Sequence, residues 1–226
     1  MRGGQRGARA RTPLSGEEAY ASLRRAILDG HLEPNERLVE ADLVRRLGVS
    51  RAAVRAAIMR LVHDGLVEHE RNRGAKVRRV DEQEAVEILQ ARAALEALAA
   101  REAARHAEER DVAELRELLA GMREQLASGD LLAASDRNAL LHARILELSR
   151  HGTARRLVAS LNSQLVRFQY RTILVPGRAE KSLAEHTAIV EAIAAGDPQA
   201  AEEEMRRHLG HVAEALRASL RDQAAA

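Results

Sequence analysis

The sequence predicts a mainly α-helical protein: a small helical unit with two short strands, followed by a bundle of six helices. Three observations predict it. Ala, Leu, Arg and Glu dominate the 226 residues and only four are proline, a composition of good helix formers that excludes an all-β sandwich. Apolar residues recur at spacings of three and four, the period of a helix with one buried face. Clusters of Gly, Pro and Asp interrupt that period and supply the stops. The length allows two modest domains, each with a core of its own.

Residues 1–13 are Arg, Gly and Ala without apolar periodicity, and are expected to form a disordered basic tail. Ser15, Glu17 and Glu18 then mark a helix start, since a hydroxyl and first-turn carboxylates satisfy free N–H groups and the helix dipole. The helix covers 16–29, with Ala19, Leu23, Ala26 and Ile27 inward and Gly30 closing it. After a loop over 31–37 containing Pro34, a short helix is predicted over 40–46, stopped by Gly48. Ser50 stands as N-cap of a third helix, 51–63, whose inward positions are Val54, Ile58 and Leu61 or Val62. Arg51, Arg55 and Arg60 fall on its other faces. Residues 66–69 and 75–78 read as strands around a tip, 70–74, that holds two Arg and a Gly.

Helix, helix, Gly-centred turn, helix and basic-tipped hairpin is the order of a winged helix-turn-helix, here spanning 14–80. Such a turn projects the third helix into a major groove, so Ser50, Arg51 and Arg55 at its N-terminus would meet base edges and phosphates of double-stranded DNA. Charge agrees. Residues 1–80 carry 17 Lys and Arg against 10 Asp and Glu, whereas 81–226 carry 19 against 24. A basic front unit and an acidic rear unit suit polyanion binding by the front one alone. One Phe, two Tyr and no Trp leave little on which single-stranded bases could stack.

From residue 81 the chain has no convincing strand. Helices are predicted at 81–107, 111–128, 131–149, 152–171, 179–195 and 197–222, separated by Asp, Gly and Pro breaks, with Pro198 suited to a first helical turn. No apolar run reaches the ~18 residues needed to span a bilayer and no apolar signal core opens the chain. With no cysteine, a reducing cytoplasm is the expected location. Cysteine nucleophiles and thiolate zinc sites are excluded.

Three bundle helices each aim an imidazole along an inward stripe: His142 with Ala134, Ile145 and Leu148; His186 with Leu183, Val190 and Ile193; His208 with Ala201, Met205, Val212 and Leu216. Asn138 lies one turn from His142 on the same face. A single inward His is ordinarily a hydrogen-bonded core residue. Three that converge, with a side-chain oxygen, suit a divalent ion such as Zn, Ni, Mn or Fe(II) with positions open for a ligand. Arg92 lies on the inward line of the first bundle helix. Its guanidinium would take either an effector carboxylate or an internal partner such as Glu96. His211 is expected at the surface, and neither Asp136 nor Glu185 is clearly aimed at the site.

The stretches 38–43 (LVEADL), 47–55 (LGVSRAAVR), 61–67 (LVHDGLV) and 73–77 (RGAKV) resemble the DNA-binding domain of GntR-family bacterial transcription regulators. Asn138-x3-His142, Glu185-His186, His208 and Arg92-x3-Glu96 resemble the all-helical FCD effector domain of the FadR branch. The resemblance implies a homodimer on a short palindromic operator, with a small carboxylate effector held near a metal over 81–226. It implies DNA contacts by Glu40, Ser50, Arg51, Arg55, Arg73, Gly74 and Lys76. Departures are present: Ala52-Ala53 replaces the usual Thr-Pro, Ala56-Ala57-Ile58 replaces Glu-Ala-Leu, Ala41 replaces an Arg, and Asn138 replaces the commoner Asp. A transcription regulator rather than an enzyme is therefore expected, with metal sensing by the ion itself, or a metal-dependent hydrolase, as alternatives. No HExxH pattern or positioned general base supports the hydrolase.

Overall fold

The computed structural model describes residues 16–70, 73–165, 168 and 172–224, the last five of these by backbone alone. The basic tail, the Ser15 cap and Arg71 of the wing tip lie outside the described residues. The chain divides into two compact units between Arg79 and Val80.

The first unit runs α1 (Gly16–Leu28), β1 (Arg37–Leu38), α2 (Glu40–Leu47), α3 (Arg51–His63), β2 (Val67–Glu70) and β3 (Gly74–Val77). Ala19, Leu23 and Ile27 of α1 pack with Val54, Ala57, Ile58 and Leu61 of α3 to make its core, closed on one side by Leu38, Val67, Ala75 and Val77 of the sheet. The strands lie antiparallel in the order β1-β3-β2. The sequence reading placed residue 37 at the end of a loop and so missed β1. A two-residue strand has no periodicity of its own and exists only through pairing of Arg37 with Lys76 and Leu38 with Ala75. The two predicted strands are shifted by one residue, from 66–69 to Val67–Glu70 and from 75–78 to Gly74–Val77.

The second unit contains α4 (Glu82–His106), α5 (Glu109–Ala127), α6 (Leu131–Leu148), α7 (Gly152–Gln164), α8 (Arg178–Ala194) and α9 (Pro198–Ala224). Helix α4 is central, touching α6, α7, α8 and α9. Its buried face is largely alanine, at positions 85, 97, 99, 100, 103 and 104, and side chains this small let the partner axes approach closely. Local capping sets the breaks. The carboxylates of Asp81 and Asp130 accept the N–H groups of Glu84 (2.8 Å) and Ala133 (2.9 Å), and Asp197 accepts those of Gln199 and Ala200 at the start of α9.

Three helix limits differ from the sequence reading by two residues or more, one of them the end of α9 at Ala224 rather than 222. Helix α5 begins at Glu109 rather than 111, because Asp111 reaches back to accept the Glu108 N–H (3.0 Å) and so stands inside the first turn. Helix α7 ends at Gln164 rather than 171, where Leu165 N–H donates to Asn162 and Phe168 N–H to Leu165. These i to i+3 bonds tighten the chain into turns and set Leu165 and Phe168 among Leu89, Ala213 and Leu216.

Candidate functional site

In the first unit the turn between α2 and α3 follows from three adjacent residues. Gly48 takes a left-handed conformation (φ 66°) and returns its N–H to Val44. Val49 is buried, and Ser50 Oγ accepts the Ala53 N–H at 3.1 Å. Arg51 thereby becomes the first residue of α3, and its side chain is exposed. Arg55 emerges one turn later, but its Nε donates to both carboxylate oxygens of Glu40 (3.0 and 2.9 Å), which fastens the start of α2 to α3.

In the wing, Gly74 has φ 83° and Arg73 is exposed. Lys76 is held by Glu68 (3.1 Å) and Glu70 (2.6 Å) across the strand pair. That hydrogen bond keeps the Glu70 carboxyl below its ordinary range. The seven predicted DNA-facing residues therefore divide: Arg51 and Arg73 project from the fold, Ser50 caps, Gly74 turns, and Glu40, Arg55 and Lys76 already hold partners.

In the second unit α6, α8 and α9 bring the three predicted imidazoles together. His142, His186 and His208 are 5, 0 and 2 % exposed, with ligand atoms all within 4.8 Å of one another. His186 Nε2 stands 3.1 Å from Nε2 of His142 and 3.1 Å from that of His208. Glu96 and Glu185 stand behind the outer two. Burial pushes the Glu96 carboxyl up, but the Arg92 charge and the His142 contact prevail and hold it at about 2. Partial burial of Glu185 is likewise outweighed by bonds from His208, Arg178 and His211, and its carboxyl also lies at about 2.

Both carboxylates are thus ionised at neutral pH and accept only. Nδ1 of His142 must donate to Glu96 (2.5 Å) and Nδ1 of His208 to Glu185 (2.7 Å). Both outer Nε2 atoms then present lone pairs toward His186. A single Nε2 proton on His186 serves one of them well and leaves the other unmatched. A cation would accept from all three, and the carboxylate behind each outer ring is the customary support of a metal-bound imidazole. Asn138 Oδ1 is buried without a hydrogen-bond partner, a further donor that the protein itself leaves unused. The residues present therefore fit a divalent ion. Burial lowers the pKa of His186 well below its ordinary value and that of His208 to about 4, so both are neutral at pH 7, as ligands must be.

A cavity of about 350 Å³ opens beside the imidazoles. Apolar walls come from Leu89, Met122, Leu209 and Leu216, and polar groups from Arg92, Asn138, His142, Arg178 and His208. Arg92 donates from its Nε to Glu96 Oε1 at 2.7 Å, the internal partner that the sequence offered, and also lines the cavity. Asp136 is exposed. Glu185, which the sequence did not aim at the site, supports His208 and binds His211, the exposed neighbour one turn on.

The residue the sequence reading missed is Arg178. It is 6 % exposed, donates to Glu185 (2.7 Å) and lines the cavity. Its spacing of seven and eight from Glu185 and His186 places all three on one face of α8, which was the available signal.

A helix-turn-helix with a wing, joined to a helical unit with a polar-lined cavity, defines a DNA-binding transcription regulator. Comparison with known proteins agrees. Residues 15–77 match the model of bacterial regulatory proteins of the gntR family, and residues 87–211 match the FCD domain. An Escherichia coli K12 protein with the provisional description L-lactate dehydrogenase operon regulatory protein is 31 % identical, over 92 % of this chain and 88 % of that one. A Paenarthrobacter nicotinovorans protein, provisionally described as a D-xylose utilization operon transcriptional repressor, is 29 % identical over 81 % of this chain and 80 % of its own. Among solved structures, E. coli McbR/YncC shares the fold, with a TM-score of 0.68, 24 % identity and coverage of 92 and 97 %. The chain belongs to the GntR family, in its FCD-bearing branch, and is a transcription regulator rather than an enzyme. No described helix is long and apolar enough to cross a membrane.

Proposed function

We propose that this regulator works as a homodimer in the cytoplasm, with residues 14–80 binding DNA and 81–226 binding the effector and the second subunit. In this reading His142, His186 and His208 hold one divalent ion with Asn138 as a weaker fourth donor, and a small carboxylate binds beside it with help from Arg92. The ion would supply the positive charge that a carboxylate seeks. The observation that carries the reading is the convergence of three buried Nε2 atoms, two of them lone-pair donors by their carboxylate partners, beside a cavity lined by His142, His208 and Arg92. Zn, Ni, Mn and Fe(II) all accept imidazole.

Arg51 and Arg55 read the major groove, with Ser50 fixing the helix start and Glu40 orienting Arg55. Arg73, Gly74 and Lys76 form the wing contact. One winged unit is a small interface, and a two-fold symmetric site doubles it. The relatives' descriptions refer to a pentose and to lactate, so the ligand class is read from this cavity. One of them is described as a repressor, and release of operator on effector binding is the matching sign here.

The test is a titration of purified protein on duplex DNA from the flanks of its own gene, at fixed metal, with a panel of small carboxylates. Carboxylate-dependent release of operator is expected. Release by metal alone, with no carboxylate effect at any concentration, would replace the reading with metal sensing.

A further inference from the structure

Three arginines line the cavity; Arg155 is exposed, and the other two stand at the two ends of one polar chain. At one end Arg92 binds Glu96, which binds His142; at the other Arg178 binds Glu185, which binds His208; His186 joins the halves. Both guanidiniums line the cavity. They are not equivalent. Arg178 is 6 % exposed, and its Nε and Nη1 are buried without any hydrogen-bond partner, Glu185 taking only Nη2. A guanidinium has no state in which these donors are lost, because it stays charged at every physiological pH. Two unpaired nitrogens of a permanent cation, buried in a side chain that lines an open volume, call for an acceptor from outside the chain.

We propose that Arg178 is a second anion-binding residue of the cavity and that the effector is consequently a short dicarboxylate, one carboxylate facing Arg92 and the other Arg178. This rests on the carboxylate-binding function proposed above and narrows its ligand. A monocarboxylate at the Arg92 end leaves the Arg178 donors as they are. A second carboxylate supplies the acceptor, and charge-assisted bonds from a guanidinium are the strongest hydrogen bonds the protein side chains there can make. Glu147, the carboxylate at the cavity wall, is exposed and bound to Arg144 (3.3 Å), so it offers Arg178 no internal substitute.

The experiment uses full-length protein loaded with Zn and titrated calorimetrically with malonate, succinate and glutarate, and with propionate and butyrate as matched monocarboxylates. At least one dicarboxylate is expected to bind about tenfold or more tightly than its monocarboxylate match. Arg178→Lys keeps a cation for Glu185 but removes the spare donors. It should erase that advantage while leaving monocarboxylate affinity, metal content and the circular-dichroism spectrum within about twofold of wild type by the same reasoning. Should Arg178→Lys prove unstable, Arg178→Gln, which removes the cation, takes its place and must likewise lose the dicarboxylate preference. Equal binding of both ligand sets, weakened by Arg92→Lys but not by Arg178→Lys, overturns this inference and leaves the proposed function standing. Binding of no carboxylate overturns both.

Discussion

At the scale of single residues, His186 decides the site, because it alone bridges the other two imidazoles at 3.1 Å on each side. His186→Ala is expected to lower bound metal sharply while the helical circular-dichroism spectrum persists, and metal analysis of dialysed protein checks it. Full occupancy in that variant would dismantle the three-imidazole centre. Asn138→Ala should cost less, since a neutral amide is a weaker ligand than imidazole for these ions. The metal-free protein should also lose stability in acid. Unfolded histidines take up protons near pH 6.5, whereas His208 does so only near 4 and His186 well below 6.5. The unfolded state therefore binds more protons in that window, and the stability present above pH 6.5 falls as pH drops through it. Glu96 and Glu185, both at about 2 when folded, extend the loss from pH 4.5 down to about 2. Urea midpoints at pH 7.5, 6 and 5 should decline in that order; a flat series would contradict the assigned charge states.

At the scale of elements, the recognition helix makes the clearest prediction. Arg51→Ala and Arg55→Ala should each cost about 1 to 3 kcal/mol of operator binding and leave the helical unit folded. Lys76→Ala should cost less than Arg51→Ala, because Glu68 and Glu70 already offset its charge, and gel-shift titrations of the three variants rank them. Wild-type operator binding by both arginine variants would remove α3 from the groove. The elements themselves were legible in the sequence to very different degrees. Helices α1 to α9 follow from apolar periodicity and from caps such as Ser50, Asp81 and Asp130, all of them local signals. Strand β1 depends on β3, some forty residues away, and leaves no local trace. His142, His186 and His208 were visible because each interrupts an apolar stripe on its own helix. Glu185 and Arg178 were not assigned, since their role depends on which side chains α9 and the cavity bring against α8, and this is settled only by tertiary packing.

At the scale of the whole molecule, the proposed function requires that effector and DNA, bound in different units, each favour a different population of the same chain. Linkage makes the effect mutual. If the tightest-binding carboxylate weakens operator affinity tenfold, operator must weaken carboxylate affinity tenfold, about 1.4 kcal/mol and within the usual range for such coupling. Arg92 is the residue on which to test it, because it lines the cavity and belongs to the helical unit, while Arg51 and Arg55, proposed above to read the groove, belong to the other. Arg92→Ala also strips a partner from buried Glu96, so its metal content is measured alongside, and Arg92→Lys serves where metal is lost. With metal retained, the variant should bind operator like wild type in the absence of carboxylate and need at least about tenfold more carboxylate for release. Calorimetric carboxylate titrations with and without operator duplex complete the cycle. A variant that responds at wild-type carboxylate concentrations would show that Arg92 plays no part in effector binding. Carboxylate affinity unchanged by operator, in the wild-type protein, would show that the two units are not coupled through this cavity.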